Sequence, residues 1–136
     1  IAALAAEHAI TVGLETGQED AETLARFLDD LGAPNVGVNF DPANMILYAK
    51  GDPVRAVERL APSVVQVHVK DALPTDEPGT WGAEVAAGTG AVDWSAFLAI
   101  TDALDVPYVI EREAGETRID DVRAAAALLE TRSCCG

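Results

Sequence analysis

The run VVQVHVK at residues 64 to 70 alternates valine with glutamine, histidine and lysine, and a related two-faced pattern occurs three more times along the chain. TVGLE (11 to 15), VGVNFD (36 to 41) and YVIERE (108 to 113) set hydrocarbon against small or polar residues with period two, as a strand buried on one face does. Each run is followed by turn chemistry and then by a helical pattern. Leu24, Phe27, Leu28 and Leu31 lie at helical spacing before a stopping Gly32. Asp52 before Pro53 and Asp93 before Trp94 read as helix caps, and Ile119, Val122, Ala126 and Leu129 form a last stripe. The expectation is four βα units on a parallel sheet, preceded by one helix.

Open parallel sheets carry helices on both faces, and their strands are then hydrophobic on both sides. Here Val12 and Leu14 oppose Thr11, Gly13 and Glu15, while Val36, Val38 and Phe40 oppose Gly37, Asn39 and Asp41. Val65, Val67 and Val69 oppose Gln66, His68 and Lys70, and Tyr108 and Ile110 oppose Val109 and Glu111. Helices on one face only are the mark of a (β/α)8 barrel, whose active-site residues project from the C-terminal strand ends. Four units make the last half of such a barrel, read as one domain over residues 1–136 with a flexible tail at 131–136.

The inward residue nearest each strand end is Glu15, Asp41, His68 or Glu111. Three carboxylates and an imidazole at one mouth repel and desolvate one another unless a cation neutralises them, so they form a candidate ligand set for one divalent metal. Oxygen-rich ligation with one nitrogen suits Mn, Mg, Co or Zn. Any one of these residues alone has an ordinary structural explanation; their common position at the strand ends is the argument. Glu113, one pleat beyond Glu111, is the rival fourth ligand. Lys70 can meet a substrate oxygen or phosphate, or an ion-pair partner such as Asp71 or a nearby carboxylate. ALPTDEPGTWGAEVAAGTGAV, residues 72 to 92, is a long connection of the functional kind, and its Trp81 can stack on a sugar or pack the loop to the rim. GTG at 88 to 90 is too short to define a phosphate cradle, and His8, without acidic partners at ligand spacing, reads as a surface residue.

Nine basic against 23 acidic residues give a net charge of −14, which argues against a nucleic-acid partner. No apolar run reaches membrane length, and IAALAAEHAI lacks the basic start of a signal peptide. Cys134 and Cys135 are adjacent and cannot staple distant segments, which suits a reduced, cytoplasmic protein.

GLETG with Glu15, NFDPAN with Asp41, VHVKDA with His68 and Lys70, GTGAVDW, and VIEREAG with Glu111 resemble, in this order, the C-terminal half of the xylose isomerase-like barrel superfamily. The likeness is to its sugar phosphate isomerase/epimerase branch. It implies that strands five to eight give one Glu, Asp, His and Glu to a divalent metal, and that Glu15 and Glu111 also move protons on opposite faces of a carbohydrate substrate. Asn44 stands where such epimerases often have a substrate-contacting histidine and is therefore a candidate substrate contact. The abasic-site endonucleases of this superfamily need several more histidines than the two present here.

The expected function is a metal-dependent isomerase or epimerase of a sugar, polyol or sugar phosphate acting through an enediolate. The alternatives are a metal-dependent lyase or dehydratase on the same barrel, and a non-catalytic half-barrel that works as an assembly partner. A half-barrel bares two sheet edges and its interior face, so either more chain precedes it or two copies pair as a homodimer to cover them.

Overall fold

The computed structural model describes residues 1–113 and 115–131. Helix α1 (Ala2–Glu7) leads into β1 (Val12–Glu15), α2 (Ala21–Leu31), β2 (Val36–Phe40), α3 (Pro42–Leu47) and α4 (Pro53–Leu60). Strands β3 (Val64–Val69), β4 (Asp71–Leu73) and β5 (Ala83–Val85) follow, then α5 (Trp94–Thr101), β6 (Tyr108–Ile110) and α6 (Arg118–Glu130). Strands β1, β2, β3 and β6 form a parallel sheet in that order. The fold is thus the α/β partial barrel expected from the alternation.

Local chemistry sets the helix ends. Asp20, Asp41, Asp52 and Asp93 each accept the backbone N–H three residues on, at 2.7, 3.0, 2.9 and 3.0 Å, and so satisfy donors the first turn leaves unpaired. Gly32 ends α2 in the left-handed region at φ 59°, and its N–H reaches the Leu28 carbonyl. Val38, Phe40, Val67 and Val69 are buried in one core cluster with Leu24, Val57, Leu60, Phe97 and Leu98 from the helices. Phe40 and Phe97, both fully buried, meet with ring centroids 5.6 Å apart. Burial of each such side chain contributes roughly 1.5–3 kcal/mol.

The structure departs from simple alternation in β3. A bulge between Val38–Val64 and Asn39–Gln66 inserts Val65 as an extra residue. Val65 therefore leaves the Val67 and Val69 face and lies over Gly13 and Gly37 on the sheet interior, where a Cβ on Gly37 would come within 2.5 Å of Val65 Cγ1. The two glycines make room for it. On α6 the buried stripe is also rotated from the expected one. Ala125 is buried and Leu128 and Leu129 pack on the core, whereas Ile119 and Val122 are exposed. The long connection contains the antiparallel pair β4 and β5. Thr131 caps α6, and the remaining tail, 132–136, lies outside the described residues.

Candidate metal centre

Glu15 ends β1, Asp41 follows β2, His68 lies near the end of β3, and Glu111 follows β6. One ligand atom from each lies within 4.8 Å of all the others, so the four expected residues converge. The imidazole is the hub. Its Nδ1 stands 2.9 Å from Glu111 Oε2, 3.4 Å from Asp41 Oδ2 and 3.7 Å from Glu15 Oε1. Its Nε2 faces away, 2.9 Å from Asn39 Nδ2 and 3.4 Å from Gln66 Nε2. As placed, these amide nitrogens donate to an unprotonated Nε2; ligation through Nδ1 would move the ring proton to Nε2 and require the Asn39 carboxamide to turn its oxygen toward it.

Two backbone devices hold the carboxylates. Thr16 Oγ1 donates to the Asp41 carbonyl at 2.9 Å and accepts from the Asp41 N–H at 2.8 Å, which clasps the ends of β1 and β2. Asp41 uses Oδ1 to cap α3 and turns Oδ2 to the cluster. Asn44 Nδ2 donates to Glu15 Oε1 and to the Thr16 carbonyl, both at 3.0 Å, so this candidate substrate contact braces a ligand.

Lys70 is buried beside the same carboxylates. Its Nζ is 3.3 Å from Glu111 Oε2, 3.3 Å from Glu113 Oε2 and 3.7 Å from Asp41 Oδ2. Glu113 thus serves Lys70 and is not one of the four convergent groups. Asp71, expected as an ion-pair partner of Lys70, faces elsewhere and is fully buried. Its Oδ1 accepts from the N–H of Ala72 and Val92, and its Oδ2 from Gly88, Gly90 and the Trp94 indole. Trp81 lies apart from the cluster, largely exposed, with its ring edge-on to Tyr48 at 5.2 Å. His8 is exposed at the end of α1.

The electrostatics follow from crowding. Burial, with Asp41 and Glu111 nearby, raises the Glu15 pKa despite the opposing fields of His68 and Lys70. His68 is raised by its hydrogen bond to Asp41 and by the charges of Asp41, Glu111 and Glu15, against the effect of its own burial. For Lys70 burial works downward, and Asp41, Glu111 and Glu113 outweigh it to hold the ammonium above its ordinary value. Three carboxylate oxygens and one imidazole nitrogen aimed at one point fit a divalent cation with oxygen-rich preference. Beside them opens a cavity of about 400 Å³ lined by Glu15, Thr16, Gln18, Asn44, Tyr48, Lys70 and Glu113, among others.

Asn39, Gln66 and Thr16 were not singled out from the sequence, and Asp71 was named only as a possible partner of Lys70. Asn39 and Gln66 carried a signal, since they alternate onto the same inward faces as Asp41 and His68. Thr16 carried none, and nothing in the sequence pointed to the loop N–H groups that Asp71 accepts from.

The chain is similar to several solved structures and spans about half the length of each. A xylose isomerase domain protein from Planctomyces limnophilus is 42% identical, with a TM-score of 0.84 over 93% of this chain and 46% of that one. The probable 3-DHS dehydratase AsbF from Bacillus anthracis is 21% identical, with a TM-score of 0.77 over 95% of this chain and 52% of that one. D-allulose 3-epimerase from Methylomonas sp. is 20% identical, with a TM-score of 0.70 over 97% and 51%. A Mycobacterium smegmatis barrel, 18% identical at TM-score 0.75 over 93% and 45%, was solved in complex with magnesium. A family model matches residues 1–132, and the chain belongs to the xylose isomerase-like TIM barrel family.

Proposed function

We propose that this chain supplies half the active site of a divalent-metal-dependent isomerase or epimerase of a sugar, polyol or sugar phosphate, acting through an enediolate. The observation that carries the reading is the convergence of Glu15, Asp41, His68 and Glu111 within 4.8 Å at the C-terminal ends of neighbouring parallel strands. These four would hold the cation. Bound there, a divalent ion supplies Lewis acidity that polarises a substrate carbonyl and stabilises an enediolate. The family includes sugar epimerases and a probable dehydratase, which supports an enzyme of this class.

The roles of the side chains follow from their places. Glu15 and Glu111 sit at the ends of the two outer strands of the row, and the resemblance gives them the proton-transfer roles on opposite faces of the substrate. One takes the proton beside the carbonyl and the other returns one, as inversion or transposition requires. Asn44 fixes the Glu15 carboxylate, Lys70 steadies Glu111, and the cavity beside them receives the polyol chain. Protein expressed from its natural reading frame, loaded with Mn or Mg and incubated with a sugar panel in deuterated water, should place deuterium on the carbon next to the carbonyl. A dehydrated product would establish the lyase chemistry instead, and no turnover of any sugar with metal bound would sink the enzyme reading.

A further inference from the structure

Three of the four convergent groups are held by neutral neighbours or by their own element. Asn44 braces Glu15, the cap of α3 and the Thr16 clasp fix Asp41, and His68 lies within β3 with Asn39 beside its ring. Glu111 is placed differently. Strand β6 ends at Ile110, and the Glu111 N–H makes a last bond to the sheet, to the Val69 carbonyl at 3.2 Å. Its carboxylate meets His68 and Lys70, which belong to the same charged group. Past that last bond the backbone has left the sheet, so a support from elsewhere has to fix the point from which Glu111 reaches.

The loop after β3 supplies it. Glu111 and Glu113 each bring an oxygen to 3.3 Å from Lys70 Nζ, while Arg112 between them turns the other way, toward Glu84 of β5. Glu84 Oε1 accepts from Arg112 Nη1 at 2.6 Å and from the Glu113 N–H at 3.0 Å, so one carboxylate oxygen holds a side chain and a backbone group on the residues that follow Glu111. Glu84 is itself anchored. It pairs with Ala72 in the β4–β5 ladder, and the N–H of nearby Gly82 bonds the Leu47 carbonyl at 3.0 Å. From the far side, Asp121 Oδ2 accepts from Arg112 Nε at 2.8 Å, and Arg118 Nη1 donates to the Glu113 carbonyl at 3.0 Å. Gly115, at φ 97°, leaves room for the guanidinium, since a Cβ there would come within 2.8 Å of Nη2. The side chains of Arg112, Glu84 and Asp121 are 11%, 8% and 13% exposed, so water competes little for these bonds.

We infer that Glu84 is a positioning residue for the metal centre: by holding Arg112 and the Glu113 N–H on one oxygen, it sets how far the Glu111 carboxylate reaches toward the other three ligands. The inference rests on the reading of Glu111 as a metal ligand and adds to it a residue of the loop after β3 that touches none of the four. Reach, and not charge, is what Glu84 contributes. A ligand displaced by a fraction of an ångström loses much of its bond to the cation, which is why groups that orient ligands matter to affinity.

The test is calorimetric titration of Mn2+ alone into protein expressed from its natural reading frame. Glu84→Asp keeps the charge and withdraws the carboxylate by one methylene, so it should weaken Mn2+ binding about 10-fold. Glu84→Gln loses the charge and keeps an oxygen at full reach, so it should bind nearly as the parent does. Asp121→Asn, which leaves both Glu84 bonds in place, should do the same. Arg112→Lys keeps the cation but gives up the fork that spans Glu84 and Asp121, so it should weaken binding as Glu84→Asp does, and it decides the matter if Glu84→Asp does not fold. A field acting through space would order the Glu84 variants the other way, because removing a negative charge weakens cation binding and shortening its stem hardly alters it. Glu84→Gln as weak as Glu84→Asp or weaker therefore overturns the inference, as does an equal loss in Asp121→Asn. Parental binding with Glu84→Asp unaffected overturns this inference alone, whereas a parent that takes up no Mn2+ overturns the metal-centre reading with it.

Discussion

Asp71→Asn is expected to destabilise the protein by about 3–6 kcal/mol, although it changes one atom and removes no bulk. The carboxylate is fully buried and accepts five hydrogen bonds, two on Oδ1 at 2.9 and 3.2 Å and three on Oδ2 at 2.9, 3.0 and 2.9 Å. An amide keeps most of them by putting its NH2 in the Oδ1 place. The Ala72 and Val92 N–H groups then face a donor, and each bond lost to a charged acceptor is worth about 1.5–3 kcal/mol. The three bonds that remain go to a neutral oxygen and weaken. Against a typical stability of about 5–15 kcal/mol, this is a large fraction. Urea unfolding followed by tryptophan emission reads it directly, because Trp94 is 7% exposed and Trp81 is 68% exposed, so the buried, blue-shifted signal belongs to the indole that donates to Asp71. The midpoint should fall by roughly 2 M at an ordinary urea slope. Asp76→Asn, the same charge change on an exposed residue of the same loop, should shift stability by no more than about 0.5 kcal/mol. A loss below about 1 kcal/mol in Asp71→Asn would refute the hydrogen-bond argument.

His68→Ala should abolish stoichiometric metal retained after dialysis, measured by plasma emission, and metal content equal to that of the parent would remove His68 from the ligand set. In chelator, stability should decline as pH rises above the ordinary imidazole value of about 6.5. The sign follows from His68, whose folded pKa lies above the ordinary 6.5, so its stabilising contribution is complete below that value and lost as pH climbs through the folded one. Metal affinity should rise over the same interval as the imidazole is freed to ligate, and thermal melts with and without Mn that changed in parallel would contradict this.

Much of the fold was legible because its strands are two-faced: a helix layer demands hydrocarbon on one side, and the mouth demands polar ends on the other. The same alternation placed Glu15, Asp41, His68 and Glu111, since a strand's period leaves little freedom about where its last inward residue points. It failed at Val65 because a bulge breaks the period, and the cause, side-chain-free Gly13 and Gly37 on other strands, is visible only after pairing. Helix α3, six residues long, was too short to show a period, although Asp41–Pro42 repeats the cap grammar of Asp52–Pro53. The stripe on α6 was misplaced because Ile119 and Val122 are apolar yet uncovered. Of the partners the sequence offered Lys70, the structure shows neighbouring carboxylates and not Asp71, whose own partners lie up to 23 residues away.

The closure at Asp71 makes the loop after β3 a self-contained cassette. The chain leaves at Ala72 and is back within a 2.8 Å hydrogen bond of it by Ala91, so the strand end does not feel how far the chain has travelled between them. Doubling such an excursion costs only about 0.6 kcal/mol of closure entropy. Insertions, deletions and replacements between Pro74 and Thr80 can therefore be sampled by drift without moving His68 or Lys70, whereas Glu84 further on is tied to Arg112 and to the Glu113 N–H. The strand end that carries His68 and the outer part of the loop above it are free to evolve at different rates.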